Sequence, residues 1–443
     1  MIKMKKIASK NIWVLVITFL SSVMNAQITE DDYLVANDYT LGEGWTFSGS
    51  SGYKMKISGL IQPSIDIEYN EDSIADPNST RARLRRLRLR INGEYEPARI
   101  QYRIQVDLGG VPEVDNSQST RLLHAYLTYR FNKRHKIIIG QKVNPVNSRE
   151  MTMNSGTMQL VDRSKLTSAF NTIFEFGLFS ESTIRLNSRS YLRALTSITS
   201  GDGDVPMGND IGGLKYGLRV DYLPNGLFTR YGQYRQVDLV RERTPKLVFG
   251  ARGSFNEGIS SRRGRAQGSI LYLDQDFKTS LPNYWQLGAD FLFKFRGVSI
   301  LGEYVYADAS VPADISYRVR NDGSTSSSFL IDGIQNIDSY VKNRMMVGQG
   351  YNIQGGYILK NGVSFDARYC YLQAPEYSFL HNGTFYSRPE AITLGLSKYF
   401  VRWYGFKMQS SITRFSVDGA TSPIGEVLTR PEWFIQFITS ILI

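Results

Sequence analysis

Residues 56–69 read KISGLIQPSIDIEY, and the polarity of this stretch changes at almost every step. The odd-numbered positions from Ile57 to Tyr69 are apolar or small, whereas the even-numbered positions are polar except for Leu60. Successive side chains of a β-strand point to opposite faces, so the stretch predicts a strand with one apolar and one polar face. It is longer than the roughly 5–6 residues usual in soluble sheets and matches the ~10 residues with which a strand crosses a membrane.

The same alternation recurs at residues 100–107, 123–131, 363–371 and 435–443. Between such stretches lie short connections, namely Glu96-Pro97, Asn132-Lys133, Arg296-Gly297, Asn361-Gly362 and Arg402-Trp403. Long polar connections alternate with them, at 70–78, 109–120, 143–169, 199–212, 258–281, 310–346, 376–389 and 417–430. This pattern predicts an all-β fold, a single transmembrane antiparallel β-barrel with short periplasmic turns and long extracellular loops.

The number of strands depends on residues 224–244. They first read as another strand, but counting them gives an odd total and places the short turn at Arg296-Gly297 outside the cell. Bacterial barrels have an even number of strands, so we predict an extended periplasmic excursion here and roughly 16 strands in all. Ile435, Phe437 and Ile441 share one face of the last stretch, as a strand that closes a barrel requires.

The N-terminus has the three parts of a secretory signal peptide. Four lysines up to Lys10 precede an apolar run from Ile12 to Leu20, and Ala26 ends a small, polar stretch. The run is far shorter than the ~20 residues of a membrane-spanning helix, and a buried N-terminal helix is the alternative. We therefore predict a signal peptide at 1–26, a mobile periplasmic N-terminal lead at 27–52 and the transmembrane β-barrel at 53–443, in the bacterial outer membrane.

Composition argues against catalysis and cofactors. One cysteine, Cys370, allows no intramolecular disulfide and no cysteine-based metal site. Histidine occurs three times, at His124, His135 and His381. None has metal-binding spacing, and no serine stands out as a partner for His124. An acidic loop contains Asp202, Asp204, Asn209 and Asp210, but it lacks the spacing of a calcium loop, which favours an ordinary turn. We expect no cofactor, no metal and no enzyme.

Arginines dominate residues 79–92, which read STRARLRRLRLRIN. A single bulge at Arg85-Arg86 brings the arginines of both halves to one face. At roughly 2–4 kcal/mol per charge near mid-membrane, that face cannot meet lipid, so it must line the lumen. The predicted lumenal cations are Arg81, Arg83, Arg86, Arg88 and Arg90, with Arg103 on the polar face of 100–107. They either attract anions or pair with acids such as Asp66, Glu68 and Asp107, and the residues alone leave both readings open.

Two long loops carry further arginines. Loop 143–169 contains Arg149 and Arg163 and several apolar residues that favour burial, so we predict that it folds inward as a constriction. Arg262, Arg263 and Arg265 in loop 258–281 favour a solvated surface over a contact with an anion or lipopolysaccharide. The formal charge of +11 falls to +7 without the four signal-peptide lysines, which indicates anionic lipid or anionic solutes as partners, and not nucleic acid.

Several stretches resemble a known family. They are GEY at 93–95, IQYRIQVD at 100–107, AYLTY at 125–129, IIIGQK at 137–142, NP at 144–145, PKLVFG at 245–250 and DFLFK at 290–294. Together with the arginine run they resemble the phosphate-selective porin O and P family, particularly its Bacteroidetes branch, over most of 53–443. The resemblance implies a 16-stranded barrel, a homotrimer, a basic lumen, an inward-folded third outside loop and uptake of phosphate or polyphosphate. It carries over to Arg83, Arg86, Arg88 and Arg90, and to Lys142 in the Gly-Gln-Lys motif.

The sequence therefore predicts a porin that lets small solutes diffuse passively, in particular anions such as phosphate, through an arginine-lined lumen. One alternative is a plugged structural or interaction barrel in an outer-membrane complex, for which the long loops argue. A barrel enzyme that acts on lipid is the other, with His124 as its one candidate base. Outer-membrane lipid, lipopolysaccharide and small anionic solutes are the expected partners.

Overall fold

The computed structural model describes residues 35–70, 77, 79–109, 121–171, 174–201, 203, 211–262, 270–381, 388–401, 404–416 and 431–443. The predictions for the signal peptide, the acidic loop at 202–210, Arg263, Arg265, the turn Arg402-Trp403 and loop 417–430 lie outside these residues, wholly or nearly so. No helix in the described ranges is long and apolar enough to cross a membrane.

In chain order the strands are β1 (Val35–Thr40), β2 (Gly44–Ser48), β3 (Tyr53–Asn70), β4 (Ser79–Tyr95), β5 (Ile100–Asp107), β6 (Arg121–Arg130), β7 (His135–Val143), β8 (Phe174–Arg185), β9 (Tyr191–Thr199), β10 (Lys215–Leu223), β11 (Lys246–Asn256), β12 (Tyr272–Leu273), β13 (Asn283–Phe295), β14 (Val298–Ser310), β15 (Tyr317–Val319), β16 (Thr325–Ser326), β17 (Leu330–Ile331), β18 (Ile334–Gln335), β19 (Gly348–Ile358), β20 (Val363–Gln373), β21 (Glu390–Tyr399), β22 (Phe406–Phe415) and β23 (Glu432–Leu442). The helices are α1 (Arg149–Thr152), α2 (Lys165–Phe170) and α3 (Ile337–Lys342), with 3-10 turns at Ser155–Thr157, Thr229–Tyr234 and Phe379–His381.

Within the described residues, 16 antiparallel strands form a closed barrel. They are β3–β11, β13, β14 and β19–β23, and β23 closes the ring by pairing with β3, Ile435 opposite Ile67. Ile65 is 46% exposed on the outer face, whereas its neighbours Ser64 and Asp66 are buried. The apolar faces therefore point to lipid and the polar faces to the lumen, as the alternation predicted.

Long and short connections separate to opposite ends of the barrel. Short turns at 96–99, 131–134, 186–190, 296–297 and 359–362 mark the periplasmic end. Residues 224–245 leave β10 at this same end and reach β11 with a 3-10 turn and without a barrel strand. The predicted periplasmic excursion is thus confirmed, and with it the strand count.

The bulge in the arginine run is also confirmed. Arg86 lies opposite Gln62 and Leu84 lies opposite Pro63, so Arg85 is the extra residue of the bulge. A second bulge was not predicted: Gln105 faces His124 and Val106 faces Leu122, so Leu123 is the extra residue. Leu123 was expected to face lipid, but this bulge turns it inward and leaves it 2% exposed.

The N-terminal hairpin lies at the periplasmic rim. β1 pairs with β2, and β2 pairs with the start of β3, Trp45 opposite Ile57. The Gly42 N–H donates to the Leu442 carbonyl at 2.8 Å, so the hairpin continues the wall where β23 ends. This part of the lead, expected to be mobile, is therefore hydrogen-bonded to the barrel.

The long outer loops form an apolar cluster together with residues at the outer ends of several strands. Phe329, Val341 and Met345 of loop 311–347 are completely buried there. They pack with Ala169 and Phe170 of α2, which belongs to the loop between β7 and β8. The outer loops thus hold α2 inside the barrel.

Candidate functional site

A cavity of about 1880 Å³ occupies part of the lumen. Its lining extends from Glu43 and Lys56 at the periplasmic end to Arg83 and Arg121 near the outer ends of their strands. One side is formed mainly by β3–β9 together with β20–β23, and the other by residues 144–171, which we call the inward loop. The predicted inward folding of this loop is observed, and Met158 and Leu160 are buried as expected, each 1% exposed.

Arg149 fastens the inward loop to the barrel wall. Its Nη2 donates to Asp221 at 2.7 Å and its Nε donates to Asp290 at 2.6 Å. All three side chains are at most 3% exposed, and Arg219 binds the same two carboxylates. The charge of Arg149, predicted to act at a constriction, is therefore neutralised in an anchor.

Glu150 provides a second anchor. Its carboxylate accepts hydrogen bonds from Thr167 at 2.7 Å, from Ser164 at 2.9 Å and from Arg368 at 3.0 Å. Burial alone would raise the pKa of Glu150, but the Arg368 guanidinium and these donors lower it below its ordinary value. The carboxylate therefore stays ionised and joins the inward loop to β20.

Some lumenal cations are paired with acids. Arg83 Nη2 lies 2.7 Å from Asp66, and Arg88 Nε lies 2.7 Å from Asp107, its partner in the register of β4 and β5. Lys142 shares Glu181 with Lys136, each ammonium at 2.8 Å. For these residues, the second interpretation of the sequence applies: the lumenal cations pair with acids.

Three wall arginines are bound by neutral amides. Arg86 donates to Gln62 at 3.0 Å, Arg90 to Gln105 at 2.9 Å, and Arg103 to Asn92 at 2.7 Å. Among the described residues, none of the three has a carboxylate within ion-pair distance, and all three line the cavity. An amide fixes a guanidinium without cancelling its charge, so this part of the wall carries uncompensated positive charge.

Arg163 of the inward loop adds to this charge. Its Nη2 donates to the Met153 carbonyl at 2.9 Å, and its side chain lines the cavity. Burial lowers the pKa of Arg163 to about 10, with Glu150 opposing the shift, so the side chain remains charged at neutral pH. Arg81, in contrast, is exposed near the outer end of β4 and is not among the residues that line the cavity.

The inward loop meets the arginine wall at two points. Arg88 Nη1 donates to Ser155 at 3.0 Å, and Arg85 forms an ion pair with Asp162. These contacts bring the loop across to β4 and narrow the lumen there.

His124 lies inside the cavity, as its place in the alternation predicted. Its ring packs edge-on against Tyr126 and Phe174, with centroids at 5.8 and 5.2 Å. His135 binds Ser182, and His381 binds a loop carbonyl, both away from the cavity lining.

The sequence did not predict which residues line the cavity at its periplasmic end. Tyr234 and Arg235 belong to the excursion at 224–245, and Arg193 of β9 binds Tyr234. No periodicity marks such residues, because their segment returns into the lumen without forming a strand. The parity of the strands located the segment but gave no path for it.

A closed barrel with an apolar outer face, an inward loop and a charged cavity defines an outer-membrane β-barrel channel of the porin type. Residues 59–210 match the family model of the phosphate-selective porins O and P. The predicted resemblance is confirmed over that span, which covers most of β3 through β9 and includes the arginine wall and the inward loop.

Similarity to solved structures is confined to the fold. The chain is similar to Salmonella typhi OmpF, solved as a complex with daunomycin, at 10% identity and a TM-score of 0.51, over 88% of this chain and 98% of that one. It is also similar to the outer-membrane channel DcaP of Acinetobacter baumannii, at 13% identity and a TM-score of 0.48, over 90% of this chain and all of that one. No curated protein matches the sequence.

Proposed function

We propose that this channel lets small anions diffuse passively through the cavity, with phosphate or polyphosphate as the preferred solutes. One observation carries the proposal: Arg86, Arg90 and Arg103 face the lumen and are bound by amides, so their charges are available to a solute. A planar guanidinium binds two oxygens of an oxyanion at once, which suits phosphate better than a simple halide.

Single-channel recording in a planar bilayer tests this proposal, first in chloride and then with phosphate added. We expect an anion-selective current that phosphate reduces, because a bound oxyanion occupies the path of chloride. A steady current that ignores phosphate would retain the channel and refute its phosphate preference. A cation-selective current would refute the role of the arginines.

A plugged barrel with a structural or interaction role is the second candidate. The observation in its favour is that the inward loop, the segment 224–245 and the outer loops fill much of the lumen. It predicts no current from folded protein and a stoichiometric partner in mild detergent. We do not propose catalysis: His124 contacts two aromatic rings, and lack of labelling by a serine-reactive phosphonate would agree with that.

The assembly belongs to the proposal as well. The family resemblance over 59–210 supports a homotrimer in lipopolysaccharide-containing membrane. Chemical cross-linking in mild detergent should stop at a species of three chains, and a uniform monomer would overturn this part.

A further inference from the structure

The segment 224–245, which we call the periplasmic segment, enters the lumen from the turn end of the barrel. Lys294 of β13 holds it by donating to the carbonyls of Gly232 at 2.9 Å and Val237 at 3.0 Å. The Tyr404 hydroxyl donates to the same Val237 carbonyl at 2.9 Å. Two separate parts of the barrel, β13 and the turn between β21 and β22, thus bind one short stretch of this segment.

Further contacts fix the stretch that follows. Asp238 accepts the backbone N–H of Gly297 at 2.8 Å and that of Glu242 at 3.1 Å. Val237 packs in an apolar cluster with Ile358, Tyr399 and Tyr404. Gln236, which directly precedes the anchored Val237, is therefore held at a defined height in the lumen.

Gln236 is completely buried and directs its polar groups to the inward loop. Its Oε1 accepts the backbone N–H of Gln159 at 2.7 Å, and its Nε2 donates to Glu150 at 3.2 Å. Its own backbone N–H donates to the Thr157 carbonyl at 3.3 Å. The side chain of Gln236 thus joins the periplasmic segment to two positions of the inward loop, and its backbone N–H adds a third.

These three positions lie beside the narrowing. Ser155 and Asp162, which contact Arg88 and Arg85 of the arginine wall, are two or three residues from Thr157 and Gln159. A shift of the loop at Gln159 would therefore move the points at which the loop meets β4. Loss of the Gln236 side chain leaves the buried Gln159 N–H without its acceptor and removes one of several donors to Glu150, which favours such a shift.

We propose that Gln236 is a positioning residue that supports the inward loop from the periplasmic side and thereby sets the width and selectivity of the pore. The inference about width and selectivity rests on the proposed channel function. The inference about position does not, and the two are measured separately.

The test compares Gln236→Ala and Gln236→Leu with the matched control Gln233→Ala in refolded full-length protein. Gln233 is buried in the same segment, and no hydrogen bond within the described residues joins its side chain to the inward loop. Hydrogen exchange of the Gln159 amide reports on position, and bilayer conductance reports on function. Heat-modifiable mobility on gels shows that each variant is folded, and the leucine variant preserves volume if the alanine variant folds poorly.

We expect both Gln236 variants to exchange the Gln159 amide at least ~10-fold faster than wild type, since loss of one buried hydrogen bond corresponds to about that factor. Conductance should rise and anion preference should fall, with the control unchanged in both measurements. Equal exchange in wild type and both variants would overturn the proposal. Faster exchange in a protein that carries no current would support the positioning role and refute the channel function.

Discussion

The anion preference of the pore should depend on Arg90 and Arg103 more than on the total charge of the protein. Both guanidiniums line the cavity, and both are bound by amides, at 2.9 Å to Gln105 and at 2.7 Å to Asn92. The double variant Arg90→Gln/Arg103→Gln removes two charges that no acid among the described residues pairs with. It leaves side chains that can still bind the neighbouring amides, which limits damage to the wall.

The magnitude follows from Coulomb's law. An anion in contact with a guanidinium lies about 4 Å from the charge, where the interaction is about 1 kcal/mol in water and about 4 kcal/mol at an effective dielectric constant of 20. The lower value suits a cavity that holds solvent. At about 1.4 kcal/mol per factor of ten, each arginine contributes about fivefold to anion preference, and the pair contributes about 25-fold.

The zero-current potential in a KCl gradient gives the ratio of chloride to potassium permeability directly. Arg185→Gln is the control, because Arg185 is exposed near a periplasmic turn, outside the cavity lining, and binds the Asn187 carbonyl. We expect the ratio to fall at least about 25-fold in the double variant, because the lost charges attract chloride and also repel potassium, and to stay near wild type in the control. If both proteins showed the same ratio, amide-bound arginines would not set selectivity and the reasoning would be refuted.

Three further outcomes are expected. Arg149→Leu leaves buried acids undercompensated, which should lower the free energy of unfolding by about 3 kcal/mol in urea titration and make single-channel currents noisier; unchanged stability would show that Arg149 is no anchor. Burial and the neighbouring Arg388 lower the pKa of Lys165 in the cavity lining to about 7, so this ammonium is charged below that pH and neutral above it. Anion preference should therefore decrease as pH rises through about 7, and Lys165→Met should abolish that step in zero-current potentials. Leu127 is 55% exposed on the lipid face, so Leu127→Arg should lower the folding free energy by about 2–4 kcal/mol, measured by urea-dependent folding into vesicles. A smaller cost would show that position 127 lies outside the hydrocarbon layer of the membrane.

The barrel could be predicted because each strand repeats one local rule. Alternation located the strands, and the requirement for an even number showed that 224–244 forms no barrel strand and connects two strands at the periplasmic end. The bulge at Arg85-Arg86 could also be predicted, because the arginines of both halves of the strand must face the lumen and cannot face lipid. The bulge at Leu123 was not, because an apolar residue that turns inward breaks no pattern in the sequence.

The pairing of the lumenal charges could not be predicted, because it depends on which side chains share a height in the barrel. Arg88 and Arg90 are two positions apart on β4, yet one faces Asp107 and the other faces Gln105. The alternation predicts that both side chains face the lumen and does not distinguish between them. Only the register of β4 against β5 separates a neutralised arginine from one with charge available to a solute.

The same register argument bears on why the cavity is basic at all. The lumen contains acids as well as arginines, but Asp221, Asp290 and Glu303 lie on the far wall, buried beneath the inward loop. Arg149 and its backbone bind all three, so the loop neutralises Asp221, which lines the cavity, and keeps Asp290 and Glu303 out of the lining. The wall of the open cavity then includes β4 and β5, where amides hold Arg86, Arg90 and Arg103. Anion preference thus depends on the position of the inward loop as much as on the number of arginines. A displaced loop would expose buried carboxylates to the solute, and their negative charge would oppose the arginines.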